Sequence, residues 1–160
     1  MREFEFKTKV CAYQAEELPE EYKLLITKAK ESTQNSYSPY SHFAVGAAVL
    51  LEDGEILCGA NQENAAYPSG LCAERTVLFY ANASHPHTPV RALAIAGFTD
   101  GHFTHEPVSP CGACRQVMAE TENIWGKPLT ILLYGEKEVY LFEGVESLLP
   151  YSFVSDNLEG

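Results

Sequence analysis

The 160-residue chain is 46% hydrophobic and 21% charged, a balance that suits a globular protein with room for one core. Its net charge is -11 and no segment gathers Lys and Arg, which weighs against a polynucleotide partner. The opening segment MREFEFKTKV lacks the apolar core of a signal peptide, no apolar run reaches bilayer length, and the five cysteines are odd in number. Reduced thiols in a cytoplasmic protein without a membrane partner are therefore expected, rather than a disulfide framework.

In chain order, residues 1–17 read as an N-terminal extension outside the main fold and residues 18–160 as one domain. A helix is expected from Pro19, a residue tolerated in a first turn, to about Gln34. Tyr22, Leu25, Ile26 and Ala29 form its apolar stripe. Pro39 in SYSPYSHF ends it by pushing its predecessor out of the helical region. FAVGAAVLLEDGEILCGAN reads as two strands joined by a two-residue turn at Asp53-Gly54. A second helix is expected over residues 71–83. The loop NASHPHTPV and the buried strand RALAIAG follow it. A third helix is expected from Cys111 to about Thr121; LTILLYG and VYLF supply two more strands and VESLLP a last helical turn. This order predicts an α/β protein, a three-layer α/β/α sandwich around a mixed sheet of about five strands.

Two stretches depart from ordinary helix starts. LCAERTVLF puts Cys72, Glu74 and Arg75 at the head of an otherwise apolar helix, where a capping hydroxyl or Asp is usual. SPCGACRQV puts Cys111 and Cys114 three apart, on one face of a helix. Three thiolates can hold one zinc and leave a fourth position for water, which zinc acidifies from a pKa of about 15.7 toward roughly 7. The two helix N-termini and Arg75 would offset the negative charge of the thiolates, and Glu74 stands two residues from a ligand, placed to move protons.

Other readings compete. Cys111 and Cys114 also suit a structural zinc knuckle, for which Cys58 is the nearby fourth candidate, or a redox pair, which leaves Cys72 and Glu74 without a purpose. Cys58, mid-strand in an apolar run, reads as a buried free thiol, and Cys11 as an ordinary free thiol. Glu74 alone suits a cap. Asn61 and Glu63 suit a plain loop, and Tyr67 and Phe153 the core. His85 and His87 read as solvated loop residues.

Over residues 18–155, SPYSHFAVGAA, NQENAAYPSGLCAER and SPCGACRQV resemble the short cytidine deaminases of nucleoside salvage. The resemblance implies one zinc on Cys72, Cys111 and Cys114, with Glu74 as the proton shuttle. It also implies Asn61 and Glu63 on the ribose hydroxyls, Phe43 against the base and the Ala73 carbonyl on the exocyclic amine. Arg75 and Gln116 would neutralise the thiolates. The family's short form is a homotetramer, and Tyr67 and Phe153 are similar to the residues that complete a neighbour's pocket. The implied reaction is hydrolytic deamination of cytidine and 2′-deoxycytidine to the uridine products. Glu74 would deliver protons to N3 and then to the departing amine. A deaminase of a cytidine analogue and a catalytically silent zinc-stabilised binding module are the alternatives. Retention of Glu74 argues against the second.

Overall fold

The computed structural model of the chain describes residues 1–159. In chain order it contains β1 (Cys11–Tyr13), α1 (Glu20–Ser32), β2 (Ala44–Leu51), β3 (Ile56–Ala60), α2 (Ala73–Ser84) and β4 (Val90–Thr99). These are followed by β5 (His102–Phe103), α3 (Gly112–Trp125), β6 (Thr130–Tyr134) and β7 (Val139–Glu143). The strands form one mixed sheet in the order β1-β7-β6-β4-β2-β3, with β5 paired to β4. The sheet therefore has seven strands rather than about five. The two additional strands, β1 and β5, span three and two residues, too short to show an alternating pattern in the sequence.

Both faces of the central strands are covered, which is why VGAAVLL and ALAIAG are continuous apolar runs instead of alternating ones. On one face Ala48, Leu50, Ala92, Ala94, Ala96 and Leu132 pack beneath Leu25, Ile26 and Ala29 of α1. The alanines let α1 lie close. A Cβ on Gly46 would come within 2.1 Å of the Ala29 carbonyl oxygen, so this crossing requires glycine. On the opposite face Val49, Leu51, Leu93, Ile95, Ile131 and Leu133 pack against Val77 and Leu78 of α2 and Met118 and Ala119 of α3.

Connectivity places the site. Strands β3 and β4 both run antiparallel to β2, and β4 runs parallel to β6, so β3, β4 and β6 share one direction. Helix α2 crosses from β3 to β4, and α3 from β4 to β6, on the same face. Both helices consequently start at the same edge of the sheet, beyond the carboxyl ends of β3 and β4. Open α/β sheets commonly bind ligands at that edge.

Three sequence expectations need correction. Residues 11–13 do not lie outside the fold, since Cys11, Ala12 and Tyr13 pair with Leu141, Tyr140 and Val139 on β7. Thr8 Oγ1 also donates to the Ser147 carbonyl at 3.1 Å, and Phe6 meets Tyr151 at 6.0 Å between ring centroids. The β2–β3 turn is not a two-residue loop. Gly54 N–H donates to the Leu51 carbonyl at 3.0 Å and Leu51 N–H to the Glu55 carbonyl at 2.8 Å. Gly54 has φ +92°, the geometry of a turn closed by a glycine bulge. Helix α3 continues past Thr121 to Trp125 and stops at Gly126, which takes the left-handed conformation. In that added turn Glu122 Oε1 accepts the N–H groups of Leu129 and Val145, both at 2.8 Å, and so ties the helix end to the next strand. No helix among the described residues is long and apolar enough to cross a membrane.

Candidate metal centre and substrate cleft

Cys72 is the N-cap of α2, and Cys111 is the N-cap of α3 with Cys114 in its first turn. The shared edge described above brings the three thiols together. Cys72 Sγ lies 3.8 Å from Cys111 Sγ, and Cys111 Sγ lies 3.3 Å from Cys114 Sγ. Zinc–sulfur bonds of about 2.3 Å in a tetrahedral site require sulfur–sulfur edges of about 3.8 Å, so the Cys72–Cys111 edge matches, the Cys111–Cys114 edge widens by about 0.5 Å, and three thiols suit zinc. Two helix N-termini point their free N–H groups at this cluster, and one of them, Cys114 N–H, already donates to Cys111 Sγ at 3.5 Å.

Arg75 Nη2 donates to Cys72 Sγ at 3.7 Å, while its Nε is buried without a hydrogen-bond partner. Between the thiols, a hydrogen bond from Cys114, followed by those of Arg75 and Cys111, lowers the Cys72 pKa to about 5 against the effect of burial. Cys114 is raised as the donor to that thiolate, with burial acting in the same direction. Glu74 is only 5% exposed, and desolvation, aided by the Cys72 charge, raises its carboxyl pKa above the ordinary 4.5.

Beside Cys72 opens a cleft of about 490 Å³, bordered by Tyr40, Ser41, Asn61, Glu63, Tyr67, Leu71, Cys72 and Arg75. Its rim is built by side chains more than by regular structure. Asn61 Oδ1 accepts from Ser36 Oγ at 2.5 Å and from Val45 N–H at 2.8 Å, and its Nδ2 donates to the Phe43 carbonyl at 2.9 Å. Glu63 Oε2 accepts the N–H groups of Tyr40 at 2.9 Å and Ser41 at 3.2 Å, and Oε1 accepts the Ser41 hydroxyl. The Ser41 hydroxyl above all, with these backbone donors, lowers the Glu63 pKa. Tyr67 stands 81% exposed at the mouth, edge-on to Tyr40 at 6.4 Å.

Several expected site residues lie elsewhere. The Phe43 ring is half-buried over β4, 3.0 Å from where a Cβ on Gly97 would sit, and does not border the cleft. The Ala73 carbonyl follows the α2 axis toward β3, 3.2 Å from a Cβ position on Gly59, because helical carbonyls point toward the C-terminus. Gln116 does not reach a thiol. One turn further along α3, its Nε2 donates to the Phe153 carbonyl at 2.7 Å. Phe153 itself is 59% exposed, not core, and Cys58 is an exposed free thiol on β3 rather than a buried one.

Arg115 is the residue that the sequence reading missed. Its guanidinium donates to the Pro110 carbonyl at 2.9 Å, the Leu148 carbonyl at 2.6 Å and Ser109 Oγ at 2.7 Å, and so clamps the turn that presents Cys111. A cation in the first turn of α3 opposes the helix dipole, and that misfit was its signal.

Similarity to known proteins agrees with this geometry. Residues 19–124 match the family model of the cytidine and deoxycytidylate deaminase zinc-binding region. The chain is 43% identical over 134 residues to the cytidine deaminase of Sporosarcina psychrophila, across 84% of this chain and 92% of that one. It is 41% identical over 135 residues to the cytidine deaminase of Halalkalibacterium halodurans, across 84% and 96%. The fold matches the 1.6 Å crystal structure of cytidine deaminase from Burkholderia pseudomallei with a TM-score of 0.70 and 40% identity, covering 81% of this chain and 97% of that one. A mixed sheet carrying three convergent thiols at two helix starts defines a zinc-type deaminase fold. The chain belongs to the cytidine deaminase family.

Proposed function

We infer that the protein hydrolytically deaminates cytidine and 2′-deoxycytidine to the uridine products, with one zinc per chain held by Cys72, Cys111 and Cys114. The observation that carries this reading is the convergence of three thiols from two helix starts with a buried acid, Glu74, on the helix start that carries Cys72. Bound zinc supplies an acidified water as the nucleophile. The rest of the chemistry belongs to the chain. The two helix N-termini and Arg75 offset the charge of the thiolates. Glu74, with its pKa raised by burial, would take a proton from the attacking water and deliver it to N3, and would then carry the proton of the hydroxyl formed at C4 to the amine, so that ammonia leaves as the C4 carbonyl forms. Asn61 and Glu63 already form the rim; the second Nδ2 hydrogen of Asn61 and the free lone pairs of Glu63 remain for ribose hydroxyls. Conversion of cytidine to uridine, followed by ultraviolet absorbance, tests the activity directly, and a zinc-loaded protein without turnover would leave only the binding-module reading.

The assembly is proposed to be a homotetramer in which neighbours close each other's clefts. Tyr67 at the cleft mouth and Phe153 on the tail are aromatics that an isolated chain leaves largely exposed, which supports this. Light scattering should give a mass of about four chains, and Tyr67→Ala should lower both assembly and activity. A fully active monomer would refute the assembly and leave the chemistry standing.

A further inference from the structure

We propose that the protein carries a second metal site, remote in chemistry from the cysteine cluster, in which His102, His105 and Glu136 bind one borderline divalent cation of the zinc, nickel or copper class. One ligand atom from each of these three side chains lies within 4.8 Å of the other two. Two imidazoles and one carboxylate form a donor set suited to such ions and poorly suited to magnesium or calcium.

The backbone brings the three residues together and holds them there. His102 sits on β5, paired with Thr99. Glu136 N–H donates to the Thr104 carbonyl at 3.0 Å, and Lys137 N–H to the His105 carbonyl at 3.2 Å, so residues 104–105 are zipped to 136–137. A Cβ on Gly135 would come within 2.6 Å of Pro107 N, which shows how closely the two segments pack.

The side chains are already oriented. His102 Nδ1 lies 2.7 Å from the Phe103 carbonyl, which can only accept, so Nδ1 carries the proton and Nε2 keeps its lone pair. The His102 and His105 rings lie nearly parallel with centroids 5.0 Å apart, and His105 Nδ1 meets Glu136 Oε2 at 2.7 Å. Ligand bonds of about 2.0–2.2 Å require edges of about 3.4 Å, so to grip an ion the 2.7 Å contact between His105 and Glu136 gives up its hydrogen-bond proton and opens, while His102, within 4.8 Å of both, closes in. The nearby Lys137 ammonium is paired with Glu106, and the chain as a whole carries -11, so the local field does not repel a cation.

The segment that follows His105 runs through Pro110 to Cys111, so an ion here would brace the approach to the cysteine cluster from its far end.

The test is a nickel chloride titration, by equilibrium dialysis, of protein brought to one zinc per chain, with both metals counted by elemental analysis and thermal unfolding followed in parallel. One nickel per chain should bind while the zinc is retained, and the unfolding midpoint should rise. His102→Ala and His105→Ala should each weaken nickel binding by at least about tenfold, since even outer-shell partners of a metal contribute that much. Glu136→Gln should weaken it less, and His85→Ala, in the separate pair with Glu55, should leave it unchanged. Nickel uptake only at the expense of zinc, equal uptake by the histidine variants, loss of uptake in His85→Ala, or no uptake at millimolar nickel would overturn the proposal.

Discussion

The cysteine cluster and the rim of the cleft are held by different means. Cys72, Cys111 and Cys114 sit on helix starts whose positions follow from the burial of Val77, Leu78, Met118 and Ala119 against the sheet. Moving one thiol means moving a helix. The rim is a set of loop residues tied by side chains, with Asn61 bracing Ser36, Phe43 and Val45, and Glu63 bracing Tyr40 and Ser41. The reacting end is therefore rigid, while the end proposed to recognise the sugar is adjustable by single side chains.

The sharpest way to break this comparison is Cys111→Ala, which should abolish zinc binding by elemental analysis and reduce turnover to background. Full activity without metal would refute the proposed chemistry. Glu74→Gln comes next. It should keep the zinc and the fold while kcat falls by about 10²–10⁴-fold or more, because one residue serves several proton transfers. Near-normal turnover would reduce Glu74 to a helix cap.

Arg115→Ala separates support from ligation. All three thiols remain, yet the turn at Ser109 and Pro110 loses its clamp, so zinc affinity measured by chelator competition should fall by roughly 10–100-fold. Unchanged affinity would mean that helix packing alone sets the cluster.

Glu63→Ala should have the smallest effect on the metal and act on the substrate, raising KM for cytidine by about tenfold while zinc content stays constant. Glu63 also gives the rim a pH dependence. Its pKa is lowered in the folded chain, so its ties to Tyr40 and Ser41 contribute fully above the ordinary 4.5 and are lost as pH falls below 4.5 through the lowered value. Carboxyl NMR of Glu63 should titrate below 4.5 in the parent, and Ser41→Ala should return it toward 4.5.

Much of the molecule was readable from residue order. The apolar runs and the stripe Tyr22, Leu25, Ile26 and Ala29 foretold α1, β2, β4 and their burial. The zinc-like spacing of Cys111 and Cys114, with Cys72 and Glu74 at another helix head, foretold the cluster, because these are local patterns with a chemical meaning of their own. Strands β1 and β5 were not readable. Segments so short become strands only when a neighbouring edge such as β7 or β4 offers hydrogen bonds. Tertiary contact alone also decided that Gln116 turns to the Phe153 carbonyl, that Arg115 clamps Pro110 and Leu148, and that His102, His105 and Glu136 meet. Sequence fixes what a side chain can donate or accept, but which partner lies within 3 Å depends on how distant segments pack.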